Sequence, residues 1–109
     1  MRAEPMKSEI TSFDIADYLE TDEDIQAFLL EAIHEGGSEH LIHCLAIAAR
    51  AKGMTDVAKQ AGVTRASLYK SLNNNANPKL ETVIKLLGVF NCRLTIEPIN
   101  ANINMTSGV

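Results

Sequence analysis

Apolar side chains recur at three- and four-residue intervals along most of this chain, and that period predicts a succession of short amphipathic helices. The first is capped by Asp14 and carries Ile15, Tyr18 and Leu19. A second opens at Thr21 or Asp22, places Glu23 and Asp24 at the positive end of its dipole, and shows the stripe Ile25, Phe28, Leu29, Ile33 before Gly36-Gly37 ends it. Ser38 caps a third, with Leu41, Ile42, Leu45, Ala46 and Ala49 on its buried side, Arg50 and Lys52 in its last turn, and Gly53 beyond. Thr55 opens a short helix from Asp56 to Ala61, stopped at Gly62, and Thr64 caps the next, Arg65 to about Asn73. Asn73 to Pro78 is a loop, because consecutive asparagines compete for backbone hydrogen bonds and Pro78 pushes Asn77 out of helical geometry. A final helix from about Lys79 to Phe90 carries Leu80, Val83, Ile84 and Leu87.

After Asn91 the period changes to two over Cys92 to Glu97, closed by Pro98, which predicts a short strand. A lone strand needs a partner for its backbone groups, and the economical one is the same strand of a second copy in a two-fold dimer. The expected fold class is therefore all-α: five to six short helices plus one short C-terminal β-strand paired across a dimer. The expected organisation is a flexible arm over residues 1–11, a single domain over 12–98 and a disordered tail over 99–109.

The stretch Met54 to Asn74 has the spacing of a helix-turn-helix. Two helices crossing steeply need a small residue inside the first and a glycine at the turn, and Ala58 and Gly62 stand there. Val57, Val63, Leu68 and Leu72 supply the apolar contacts beneath. With Leu68 and Leu72 inward, the second helix turns Arg65, Ala66, Tyr69 and Lys70 outward and Ser67 to one edge, beginning at the cap Thr64. That face is cationic, carries one aromatic and has no acid, which suits a helix that meets DNA. Arg65, at the end that enters the groove, is the base-reading candidate, and a bidentate pair with guanine is worth about 1–3 kcal/mol of discrimination. Lys70, Lys59, Lys79 and Asn73 suit phosphates, which set position and affinity without sequence. A Gly-punctuated helical pair with a solvated basic face is the plainer alternative.

Charge sharpens this picture. The formal net charge of −4 argues at first against nucleic acid. Resolved along the chain, residues 1–49 hold eleven acids against Arg2 and Lys7, whereas residues 50–93 hold eight basic side chains against Asp56 and Glu81. The two halves therefore suit different partners. With 109 residues, 46% apolar and 22% charged, the chain fits one globular domain. Its longest apolar run, Cys44 to Ala49, is far short of the roughly 20 residues a membrane span needs. The N-terminus lacks the apolar core of a secretory signal, so a cytoplasmic location without membrane contact is expected.

Catalytic and metal chemistry find little support. His40, His43 and Cys44 share a helix face, but apolar residues interleave them and no clear fourth ligand stands beside His34. Cys44 and Cys92 are expected as reduced thiols, being in neither a zinc-ribbon nor a redox spacing. The serines lack a recognisable base, and there is no Gly-rich phosphate loop. Neither an enzyme nor a cofactor is expected.

The segments FDIADYL, DEDIQAFLLEAI, LAIAARAKGMT, GVTRASLYKSL, NPKLETVIKLL and RLTIEP are together specific. Over about residues 13–98 the chain resembles the small antitoxins called addiction module antidote proteins, which are related to the Cro/CI-type helix-turn-helix repressors. The resemblance implies a Cro/CI-like fold and a dimeric antitoxin. It also implies a partner toxin of the RelE/ParE-like type and repression of the shared operon through double-stranded operator DNA. Toxins of that type handle nucleic acid and are basic, so the acidic surface from Asp14 to Glu35 is an expected clamp, with Asp17, Glu20, Asp24 and Glu31 as its probes. A solvated helix face explains the same acids. Two other readings share these residues: an interaction module that sequesters a partner without binding DNA, and a phage-type repressor with no toxin.

Overall fold

A computed structural model describes residues 12–73 and 75–99. The expected arm and residues 100–109 of the expected tail lie outside the described residues. Five α-helices follow in order: α1 Ser12–Tyr18, α2 Asp22–Lys52, α3 Met54–Ala61, α4 Arg65–Leu72 and α5 Leu80–Val89. The first begins two residues before the expected cap, so Asp14 sits in its first turn.

α2 is a helix folded back on itself. At about 1.5 Å per residue a straight helix of its length would hold Asp22 and Lys52 about 45 Å apart. Instead the Lys52 Nζ lies 2.9 Å from the Asp22 Oδ1. The reversal occurs at Gly37, whose φ of 81° and ψ of −161° are accessible essentially to glycine alone. Gly36 has a different duty: a Cβ there would run into the His40 side chain, so its hydrogen lets the second arm pass close. The first arm, 22–36, opens with a capping box in which Thr21 Oγ1 accepts from the Asp24 N–H and the Asp24 carboxylate accepts from the Thr21 N–H.

The second arm, 38–52, is the spine of the core. Cys44, Leu45, Ala46, Ile47, Ala48 and Ala49 are all buried in it. The small residues on this arm let neighbouring helices approach, and α3 packs between α2, α4 and α5. Phe90, completely buried, closes the far end. Its carbonyl accepts from the Gln26 side chain at 2.9 Å, which pins the end of α5 to the first arm of α2. α5 stops in a Schellman arrangement, with Asn91 left-handed at φ 62° and the Cys92 N–H bonded to the Leu87 carbonyl at 2.9 Å.

Several expectations are corrected. α5 turns Val83, Leu86, Leu87 and Val89 inward and leaves Leu80 and Ile84 exposed. Apolar residues surround most of this helix, so two three-and-four patterns share Val83 and Leu87, and packing against α3 selects the one that includes Leu86. Tyr18 and Ile33, expected in buried stripes, are also exposed. The expected C-terminal strand is absent, because residues 92–98 run without regular structure and the described residues contain no second extended segment to complete a ladder. Among the described residues no helix is long and apolar enough to cross a membrane.

Candidate nucleic-acid interface

The connection between α3 and α4 is built from local chemistry. Gly62 is left-handed at φ 75° and ψ 31°, and the N–H groups of Gly62 and Val63 return to carbonyls of the last turn of α3. That geometry lets the chain turn within three residues. Thr64 is then extended, and its Oγ1 accepts from the Ser67 N–H at 3.0 Å, satisfying one of the orphan donors that begin α4. Such a cap contributes about 1 kcal/mol and fixes where the helix starts.

Packing sets the rotation of α4. Leu68 is 1% and Leu72 is 7% exposed, against Val57 and Ala58 of α3 in the same core. Arg65, Ala66, Ser67, Tyr69 and Lys70 consequently all face solvent. Lys59 near the end of α3, Asn73 after α4, and Lys79 before α5 are exposed as well. The face of α4 carries two cations and no carboxylate.

Within this set the structure joins Arg65 to Tyr69. The Arg65 guanidinium donates to the Tyr69 hydroxyl at 3.2 Å and lies 5.3 Å from the centre of its ring. Stacking and hydrogen bond together narrow the rotamers of an exposed arginine, lowering the entropy lost on contact with another molecule. Their i, i+4 spacing is the signal in the sequence for this pair. The loop after α4 turns through a bond from the Ala76 N–H to the Asn73 carbonyl at 3.0 Å, with Asn75 left-handed.

The acidic half is organised differently. Asp22 is tied to Lys52 and also accepts from the Asn91 side chain at 3.3 Å, and Asp24 belongs to the capping box. Backbone hydrogen bonds from Glu20 and then Thr21 hold the Asp24 carboxyl below its ordinary pKa. Two of the acids thus have structural work, while Asp17, Glu20 and Glu31 are exposed. The rings of His40 and His43 stack at 6.5 Å, and the His40 Nε2 lies 3.7 Å from the Cys44 sulfur. Among the described residues no three His, Cys, Asp or Glu side chains form a group that could hold a metal ion. Burial pushes the thiols of Cys44 and Cys92 above the usual cysteine range, disfavouring the thiolate needed of a nucleophile.

Comparison with known proteins supplies the family. The sequence pattern of a family described as "Probable addiction module antidote protein" matches residues 9–98. An uncharacterized protein of Haemophilus influenzae is 34% identical over 92 residues, covering 84% of this chain and 95% of that one. No solved structure matches. The matched residues include all five helices and the segment after α5, so the chain belongs to the family of probable addiction module antidote proteins.

Proposed function

We propose that this antidote protein is a transcriptional autorepressor, in which α3 and α4 act as a Cro/CI-like helix-turn-helix on operator DNA, and that it neutralises a toxin of the RelE/ParE-like type. The observation that carries the DNA reading is the outer face of α4. Arg65, Ala66, Ser67, Tyr69 and Lys70 are exposed and free of acid, and the helix starts at a side-chain cap while Leu68 and Leu72 anchor the inner face. In this reading α4 enters the major groove, Arg65 meets a base edge, and Thr64, Ala66, Ser67 and Tyr69 line the contact. Lys59, Lys70, Asn73 and Lys79 hold phosphates on either side. The single domain over 12–98 functions as a homodimer in the cytoplasm, so its operator is a palindrome.

The basic and acidic halves support a division of labour. DNA takes the former and the toxin, as a basic protein, takes the latter. Hydroxyl-radical footprinting of DNA upstream of the protein's own gene tests the proposal. Two protected patches on one face, about 34–36 Å apart, are expected. Absence of protection would leave a module that sequesters its partner without reading DNA.

A further inference from the structure

We propose that the apolar groove between the first arm of α2 and residues 92–97 is where the cognate toxin docks, inserting an apolar element from a basic surface. The inference rests on the antitoxin reading above and names the surface that performs it.

The groove, about 680 Å3, has a fixed floor and an unsatisfied rim. Leu29, Leu41 and Leu87, which line its depth, are buried members of the core. At its edges Leu30 is 60% exposed, Ile33 44%, Leu94 42% and Ile96 96%. Single exposed apolar residues are ordinary on a monomer, but four gathered on one concavity backed by the core have the character of a binding surface. Residues 93–97 reach this wall without regular structure, so an incoming chain finds backbone groups as well as side chains there.

Charge selects the occupant. No lysine or arginine occurs between Lys7 and Arg50, so α1 and the first arm of α2 present no such cation, whereas Glu23, Glu31 and Glu35 are exposed on that arm; on the opposite wall Arg93 and Glu97 offset each other, so the excess of charge is the arm's. Two copies meeting face to face through this groove would bring these acidic arms together. A basic protein is instead attracted to them, most strongly at low salt. The lining comes from α2, from Leu87 of α5 and from residues 91–97, with no contribution from α4. The docked toxin therefore leaves the face of Arg65 and Tyr69 uncovered, and toxin and DNA can be held at once.

The test uses the full chain and the toxin of the same module, with binding measured by titration calorimetry at low and physiological salt. Leu30→Ala combined with Ile96→Ala removes exposed apolar surface without changing charge, and Leu94→Ala combined with Ile96→Ala repeats the test without touching a helix. Both double variants are expected to bind toxin at least about tenfold more weakly. Both should keep the wild-type melting temperature and operator binding, and Ile84→Ala, exposed but outside the groove, should bind toxin normally. Unchanged toxin affinity in both double variants overturns the proposal. So does unchanged toxin affinity together with conversion of a dimer to a monomer by light scattering, which would assign the groove to a second copy. Failure of the wild-type chain to bind toxin would instead sink the antitoxin reading itself.

Discussion

Replacing Gly37 by alanine tests the reversal of α2, on which the placement of every later element depends. At φ 81° and ψ −161° a side chain is strained by the backbone alone, because nothing lies within 4 Å of the position its Cβ would take. Strain of this kind costs about 1–3 kcal/mol. Alanine also restricts the unfolded chain, which offsets about 0.4–1 kcal/mol, so a net loss near 1–2 kcal/mol is expected. Straightening the helix to escape the strain would break the Asp22–Lys52 contact and separate Ile25 and Leu29 from Leu45 and Ala49, which costs more. At about 4–8 °C per kcal/mol for a domain of this size, the melting temperature should fall by roughly 5–15 °C. The assay is thermal unfolding followed by circular dichroism at fixed protein concentration, with the exposed Gln60→Ala as a control. The sign is decisive: in a continuous helix alanine would stabilise by up to about 1 kcal/mol over glycine. A Gly37→Ala protein that melts at or above the wild-type temperature would refute the reversal.

Phe90→Ala removes a completely buried ring that closes the core, and should destabilise by about 3–5 kcal/mol in urea titrations; a loss under 1 kcal/mol would mean that α5 is not held as described. Asp24 has a folded pKa below its unfolded one, so its contribution is complete above about pH 4 and disappears as pH falls through the folded value. The gap in melting temperature between wild type and Asp24→Asn should accordingly be present at pH 7 and close in acid. Cys44, buried and with its thiol pushed up, should be alkylated by iodoacetamide only when the protein unfolds, whereas the half-buried Cys92 reacts first; mass spectrometry of partly labelled native protein distinguishes them.

What the sequence made legible was the chemistry that acts between near neighbours. Thr64 as a cap, Gly62 as a left-handed turn, and Leu68 with Leu72 as the inner face of α4 all follow from spacing, and all appear in the structure. The break at Gly36-Gly37 was visible too, though the folding of both arms into one reversed helix was not. The difficulties arise where local pattern is ambiguous or incomplete. α5 has apolar residues around most of its circumference, so only the position of α3 decides that Leu86 is buried and Ile84 is not. Alternation over Cys92 to Glu97 shows that a segment can extend, but a strand also needs a neighbour, which periodicity cannot supply. Leu94 and Ile96 instead become the rim of a groove, a role that exists only once the first arm of α2 lies beside them. The exposed face of α4 was legible because one helix carries it. The groove was not, since it joins residues more than 60 positions apart.

The central claim is that Arg65 on α4 reads operator DNA. Fluorescence anisotropy of a labelled upstream duplex and a scrambled one, titrated with wild type and Arg65→Ala over a range of salt concentrations, tests it most directly. The expected result is an operator affinity reduced about 5- to 150-fold by Arg65→Ala, with a much smaller change on the scrambled duplex. Wild-type operator affinity and an unchanged salt dependence in the variant would contradict it.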